Sequence, residues 1–426
     1  MPLGAIFAYT ASAPMLQLLL SLVASGTGGA WLVSGPSQTV DSAGRPDSVA
    51  RTTRALRPRP LLPVLWSNDY GGVTVGLRGR PARDDDAERG LLVASAATRG
   101  GAASAISLYG RWNNAVARGP RRIATSVAAW SVEGRSGASI SFDRSWQHGD
   151  IGAVRHVGVV ALWMATTNLG YLDPRLWDDA GSIEVGPWIS TVVRHGETVL
   201  RARGAVGLGL VYQHATPLVA SGGHYRYHGF TRTTGEVSVR TPVARGTTFG
   251  ARVFAGAYLG PSNPVRQLRI AVAGADPYAT FANPLLRSRG ALLVRPDFHY
   301  HAPGGPNLRG FRNDLGGRWA VGVNLELMRT VARRNGGFLR EVALGAFVDL
   351  GVADTLVAPS SSPGRWYTTL YDGGLGIVTR HRVKDMEWTM RFELPLAVNR
   401  WDVAAHDPAN STRFALRWQV SLEPSF

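Results

Sequence analysis

Towards its C-terminal end the chain alternates apolar and polar residues with a period of two, the signature of half-buried strands. Phe414, Leu416, Trp418, Val420 and Leu422 fall on one side of a strand, and Arg413, Ala415, Arg417, Gln419, Ser421 and Glu423 on the other. Met386, Trp388, Met390, Phe392, Leu394 and Leu396 oppose Glu387, Thr389, Arg391 and Glu393. Trp319, Val321, Val323, Leu325 and Leu327 oppose Gly322, Asn324 and Glu326, while Val342, Leu344, Ala346 and Val348 oppose Ala343, Gly345, Phe347 and Asp349. Earlier, Leu200, Ala202, Val206, Leu208, Leu210 and Tyr212 oppose Arg201, Arg203, Gly207 and Gly209. The same reading along the chain predicts strands at about 70–80, 91–98, 104–113, 123–133, 136–146, 154–165, 181–194, 198–213, 225–242, 246–258, 289–299, 318–330, 338–350, 371–380, 386–398 and 412–424.

A soluble sandwich or propeller also alternates, but its wet face is usually rich in Lys, Glu and Thr. Here the polar face is Gly, Ala, Arg and Ser, and the apolar face ends in Trp and Tyr, as an interfacial girdle does. Strands of this kind, closed on themselves, leave no unpaired edge in lipid. The expected fold is therefore all-β: a transmembrane antiparallel β-barrel of about 16 strands, an even number, spanning residues 61–426.

Composition narrows this further. Apolar residues make up 45% of the 426 positions, too many for a disordered chain, yet none of the apolar runs reaches the roughly 18 residues of a membrane helix. Cysteine is absent, which excludes disulfides, thiolate metal sites and cysteine nucleophiles. The formal charge of +16 is carried by arginine, with Lys384 the only lysine. Those arginines are scattered singly rather than gathered in a stripe, so a lumen wall or anionic lipid head groups suit them better than nucleic acid. Residues 1–60 read as a weak signal or linker segment. The apolar run Leu16 to Ala24 has no Arg or Lys before it, the first being Arg45, so it is a weak export signal or the chain begins inside a longer reading frame.

One loop carries more information than its surroundings: Gly304-Gly305-Pro306-Asn307-Leu308-Arg309-Gly310-Phe311. At Leu308-Arg309-Gly310-Phe311 the chain resembles the Omp85 superfamily, the bacterial surface antigen D15 outer-membrane barrels, which include insertases and two-partner secretion transporters. The resemblance implies a loop folded back into the lumen through its Arg-Gly-Phe motif. It also implies a downstream Phe-x-Asp-x-Gly strand, matched here by Phe347-Val348-Asp349-Leu350-Gly351, whose acidic residue pairs with the loop arginine. Physical chemistry points the same way. Asp349 and Glu326 both fall on polar faces, and a guanidinium in a narrow lumen seeks carboxylates. Gly310 would let the loop tip approach the wall or take positive φ. Trp66-Ser67-Asn68-Asp69-Tyr70-Gly71-Gly72 looks like the opening of a first barrel strand in this family. A terminal Phe426 in register with Trp418 is similar to the end that assembly machinery reads. The chain departs from the family upstream, where about 60 residues are too few for a POTRA module.

No catalytic residues, cofactor or metal site are expected. His299-Tyr300-His301 and His224 to His228 supply too few converging ligands for zinc, and neither a His-Glu-x-x-His, a nucleophile elbow nor a phosphate loop is present. The reading is a non-enzymatic barrel of the bacterial outer membrane. Its expected partners are outer-membrane lipid, the assembly machinery and a protein substrate that it inserts or exports; nucleic acid is not among them. Two other functions fit the same pattern: a barrel anchoring an upstream hydrolase module, and a passive porin. Deleting Phe426 is expected to impair assembly in cells far more than it changes the stability of barrel refolded in detergent. Equal membrane yields of the full-length and shortened chains would remove this support for the assignment.

Overall fold

The computed structural model describes residues 61–274, 304–355, 366–399 and 414–424, less 69–71, 80–82, 85–86, 89, 100–104, 119, 149–152, 173–175, 215–224, 313, 384–385 and 415. The described chain is almost entirely strand: β1 (Leu62–Asn68), β2 (Gly72–Gly79), β3 (Gly90–Ala97), β4 (Ile106–Arg118), β5 (Arg121–Val132), β6 (Arg135–His148), β7 (Ala153–Thr166), β8 (Ala180–His195), β9 (Thr198–His214), β10 (Tyr225–Ala244), β11 (Thr247–Leu259), β12 (Gly316–Arg333), β13 (Leu339–Thr355), β14 (Trp366–Val383), β15 (Met386–Val398) and β16 (Gln419–Pro424). Every strand pairs antiparallel with the next, in one meander from β1 to β16. Two residues, Ile270–Ala271, add a short rung beside the start of β12. No helix among the described residues is long and apolar enough to cross a membrane.

Alternation decides which way the sheet curls. Along β12 and β13, Val321, Leu325, Leu327, Leu344, Val348 and Leu350 are exposed, while Gly322, Asn324, Ala343, Phe347 and Asp349 are buried. Exposed leucine and valine recur in this way on nearly every strand, which is costly in water and favourable in lipid. The opposite face turns inward. Tyr109 of β4, Trp130 of β5, Met164 of β7, Val211 of β9, Phe230 of β10 and Tyr258 of β11 join one buried cluster, together with Leu172, Trp177 and Leu268 from two connections. Strands so far apart in the meander share a core only because the sheet rolls into a barrel.

Connections differ at the two ends. At one end the strands are joined by tight turns such as Gly196-Glu197 and Arg245-Gly246, whose glycines take φ of +59° and +70°. At the other end, apart from the two-residue turn Glu133-Gly134 between β5 and β6, most connections are longer, the longest running from β11 to β12 and carrying the Arg-Gly-Phe sequence.

The start of the barrel differs from expectation, and some expected features fall outside the described residues. The strand Leu62–Asn68 precedes the one expected first, and it pairs with β2 residue by residue from Leu62↔Arg78 to Asn68↔Gly72. The stretch Trp66 to Gly72 therefore ends β1 and leads into β2, with Gly72 at φ +69°, rather than opening a first strand. The segment 289–299 lies outside the described residues, as do Phe426 and residues 1–60. The last strand begins at Gln419, five residues after Phe414, which makes an isolated bridge with Ala397. Leu325→Arg and Leu344→Arg are each expected to cost roughly 2–4 kcal/mol if the site is near the bilayer midplane, measured by denaturant titration of barrel refolded into vesicles. Free energies unchanged by either substitution would mean that this face does not meet lipid.

Candidate functional site: the arginine loop in the lumen

The loop before β12 is built to lie flat against the inner wall. Asn307 at φ +56° and Gly305 at φ +49° fold it back, and Leu308 donates its backbone N–H to the carbonyl of Val272 at 2.9 Å. Leu308, Phe311 and Leu315 then bury themselves against Phe254, Ala320, Ala353, Leu370 and Val398 on five strands. Gly310 works by close approach, the first of its two expected roles. A Cβ there would stand 2.6 Å from Val398 and 2.7 Å from the Cβ of Asp372. The positive φ values fall at its neighbours instead.

Arg309 is 3% exposed, and its guanidinium is ringed by carboxylates. Its Nε donates to Asp349 Oδ2 and its Nη2 to Asp349 Oδ1, both at 2.8 Å, a bidentate fork. The backbone N–H of Arg309 donates to the same Oδ2 at 3.1 Å. Its Nη1 donates to Glu393 Oε1 at 2.6 Å and stands 3.7 Å from Glu326 Oε2. The flat face of the guanidinium lies over the Phe347 ring, 3.7 Å from its centroid. Burial opposes the charge, but Glu393, Asp349 and Glu326 more than offset it and hold the group's pKa well above its usual value.

Phe347-Val348-Asp349-Leu350-Gly351 presents its odd positions to this loop. Phe347 stacks under Arg309, Asp349 binds it, and Gly351 leaves room for Leu308, whose Cδ1 would be 2.7 Å from a Cβ there. Val348 and Leu350 point outward and are exposed. The spacing of the motif is thus the period of a strand whose one face contacts a loop and whose other meets lipid.

Further polar residues tie the site to the wall. Asn324, opposite Asp349 in the ladder, donates to Asp349 Oδ1 and to the carbonyl of Asn307, each at 2.9 Å. Arg252 donates to Asn324 at 2.8 Å, to the carbonyl of Gly305 at 2.6 Å and to Glu236 at 2.7 Å. Arg391 bonds to both Glu326 and Glu393, and Gln419 donates to Glu393 at 3.0 Å. Arg240 reaches Glu326 at 3.3 Å. Charges from β10, β11, β12, β13 and β15 therefore share one network. Glu393 is the acceptor that sequence reasoning passed over. Its place on the polar face with Arg391 was legible, but its convergence with Asp349 depends on the curl of the sheet. Trp418 lies half-buried, its ring 6.1 Å from that of Phe392. Among the described residues no group of three His, Asp or Glu is placed to hold a metal ion.

The chain is similar to two solved barrels. BamA from Haemophilus ducreyi lacking POTRA domains 1–3 superposes with a TM-score of 0.41 at 9% identity, over 85% of this chain and 69% of that one. CdiB from Acinetobacter baumannii gives a TM-score of 0.33 at 10% identity, over 74% of this chain and 55% of that one. No protein-family model matches the chain, and no curated protein matches it by sequence.

Arg309→Ala would leave Asp349 buried without its cation and Glu393 with Arg391 alone, at an expected cost of roughly 3–5 kcal/mol. Arg309→Lys should recover only part of this, because an ammonium cannot fork onto Asp349 while reaching Glu393. Arg312, which pairs with its near neighbour Asp314 and is partly exposed, should cost about 1 kcal/mol or less as Arg312→Ala. Gly322→Ala should loosen the loop without touching a charge, since its Cβ would lie 2.8 Å from the Pro306 carbonyl oxygen. Limited proteolysis of the loop in refolded barrel ranks the four variants; equal protection of Arg309→Ala and Arg312→Ala would contradict the assignment.

Proposed function

We propose that this chain is an Omp85-type barrel of the bacterial outer membrane that inserts or exports protein substrates. One observation carries the reading. The Arg-Gly-Phe loop lies in the lumen with Arg309 bidentate on Asp349 of the Phe-x-Asp-x-Gly strand, the pairing that the resemblance implies. The loop is held by the buried Leu308, Phe311 and Leu315 and by charge-assisted hydrogen bonds, and the latter are ones that water or a polypeptide backbone could replace one by one. Such a plug is stable yet exchangeable, as a gate for an extended chain requires. A passive porin has less use for a loop bonded across its lumen. In this reading residues 61–426 form the barrel and residues 1–60 lead into it. Outer-membrane lipid surrounds it, and the assembly machinery reads the end bearing Trp418 and Phe426.

The test compares the outer-membrane and surface-exposed proteins of cells with this chain, without it, and with Arg309→Ala at matched barrel levels. The expected outcome is loss of one protein or a small set of proteins from the surface or the membrane when the chain is absent, with Arg309→Ala reproducing most of the loss. An unchanged protein profile combined with slower uptake of small solutes would replace this reading by a porin.

A further inference from the structure

The outward face is not uniformly convex. A cavity of about 1150 Å³ opens on it, across the strands from β5 to β12. That is somewhat above the usual range for ligand pockets, roughly 300–1,000 Å³. Its floor follows a single row of the sheet, in which Ile189 pairs with Gly204, Gly204 with Gly235, Gly235 with Ala255 and Ala255 with Val321. Three consecutive small residues on a lipid-facing row leave a trough between bulkier neighbours. Phe142, Val159, Val206 and Trp319 stand beside it. Nothing lies within 4 Å of where a Cβ on Gly235 would be, and the nearest atom to one on Gly204 is 3.7 Å away. Neither glycine takes a positive φ. The wall itself therefore requires neither of them. A glycine in a strand interior weakens it, and leucine would serve a surface that only had to meet bulk lipid.

The row also carries a charge. Continuing from Ile189 it runs to Val157, then to Arg144, then to Ile123. Arg144 is exposed and lies on the same face as Phe142, and no carboxylate among the described residues pairs with it. One row nearer the tight-turn end, Arg121 and Arg155 flank Trp146, both exposed on the same outward face. They are diagonal neighbours of Arg144, within reach of long side chains. A cation on a lipid-facing strand is costly away from the headgroup layer, so this cluster calls for an anion delivered from the membrane.

We infer that the trough is a binding site for one anionic phospholipid, its phosphate held by Arg144 with Arg121 or Arg155 and an acyl chain lying over Gly204, Gly235 and Ala255. The inference needs the outward face to meet lipid and does not depend on what the barrel conducts. It is tested by reconstituting the full chain in nanodiscs of phosphatidylglycerol and phosphatidylcholine, extracting it in mild detergent, and counting retained lipids by native mass spectrometry. One phosphatidylglycerol should remain on the wild-type barrel. Gly235→Leu should lower its occupancy roughly tenfold. Arg144→Gln should keep a lipid bound but remove the preference for phosphatidylglycerol. Ala346→Leu, exposed on β13 outside the trough, should change neither. If Gly235→Leu does not fold, Gly204→Val gives the same readout. Equal retention in wild type and the filled variant would overturn the site, as would a two-barrel complex free of lipid; an unchanged preference in Arg144→Gln would overturn the headgroup assignment.

Discussion

The site hangs on one guanidinium. Arg309 sits in the lumen at 3% exposure, and a lone charge so placed would be untenable. It is stable because carboxylates from two separate strands, β13 and β15, meet at it, with a third from β12 close by. Bonds of this kind contribute little net stability once desolvation is counted. Their effect is specificity. Nε, Nη1 and Nη2 each donate to a carboxylate, which fixes the loop against β13 and β15, with Phe347 beneath the guanidinium and Asn324 on the same carboxylate.

The rest of the barrel is arranged around two solvents. The outer face meets lipid and is mostly apolar. The inner face carries arginine and carboxylate that satisfy one another across strands, from Arg203 and Glu236 to Arg391 and Gln419. Strand alternation separates these two demands at every residue. Glycine serves where the loop lies close against the wall: Gly310 against the side chains of Asp372 and Val398, and Gly322 beneath Pro306. The glycines on the outer face at Gly204 and Gly235 answer to no such packing, and this sets them apart from those lining the lumen.

Period-two alternation in the amino-acid sequence by itself determined the class of fold, the faces of the strands holding Trp319, Val342, Met386 and Phe414, and the place of Asp349 on a polar face; its pairing with Arg309 was what the family resemblance implied. Those properties are local, since a strand's two faces follow from the parity of its residues and a motif's odd positions share a side. Much else was decided only by the tertiary structure. The strand at Leu62–Asn68 shows little alternation, and it exists because β2 offers it seven paired positions. Glu393 becomes a ligand of Arg309 because the sheet curls until β15 faces the loop across the lumen, which parity along a single strand does not encode. Gly310 could have served by positive φ or by close approach. The choice fell to close approach because Val398 and Asp372, distant in sequence, occupy the space a side chain would need.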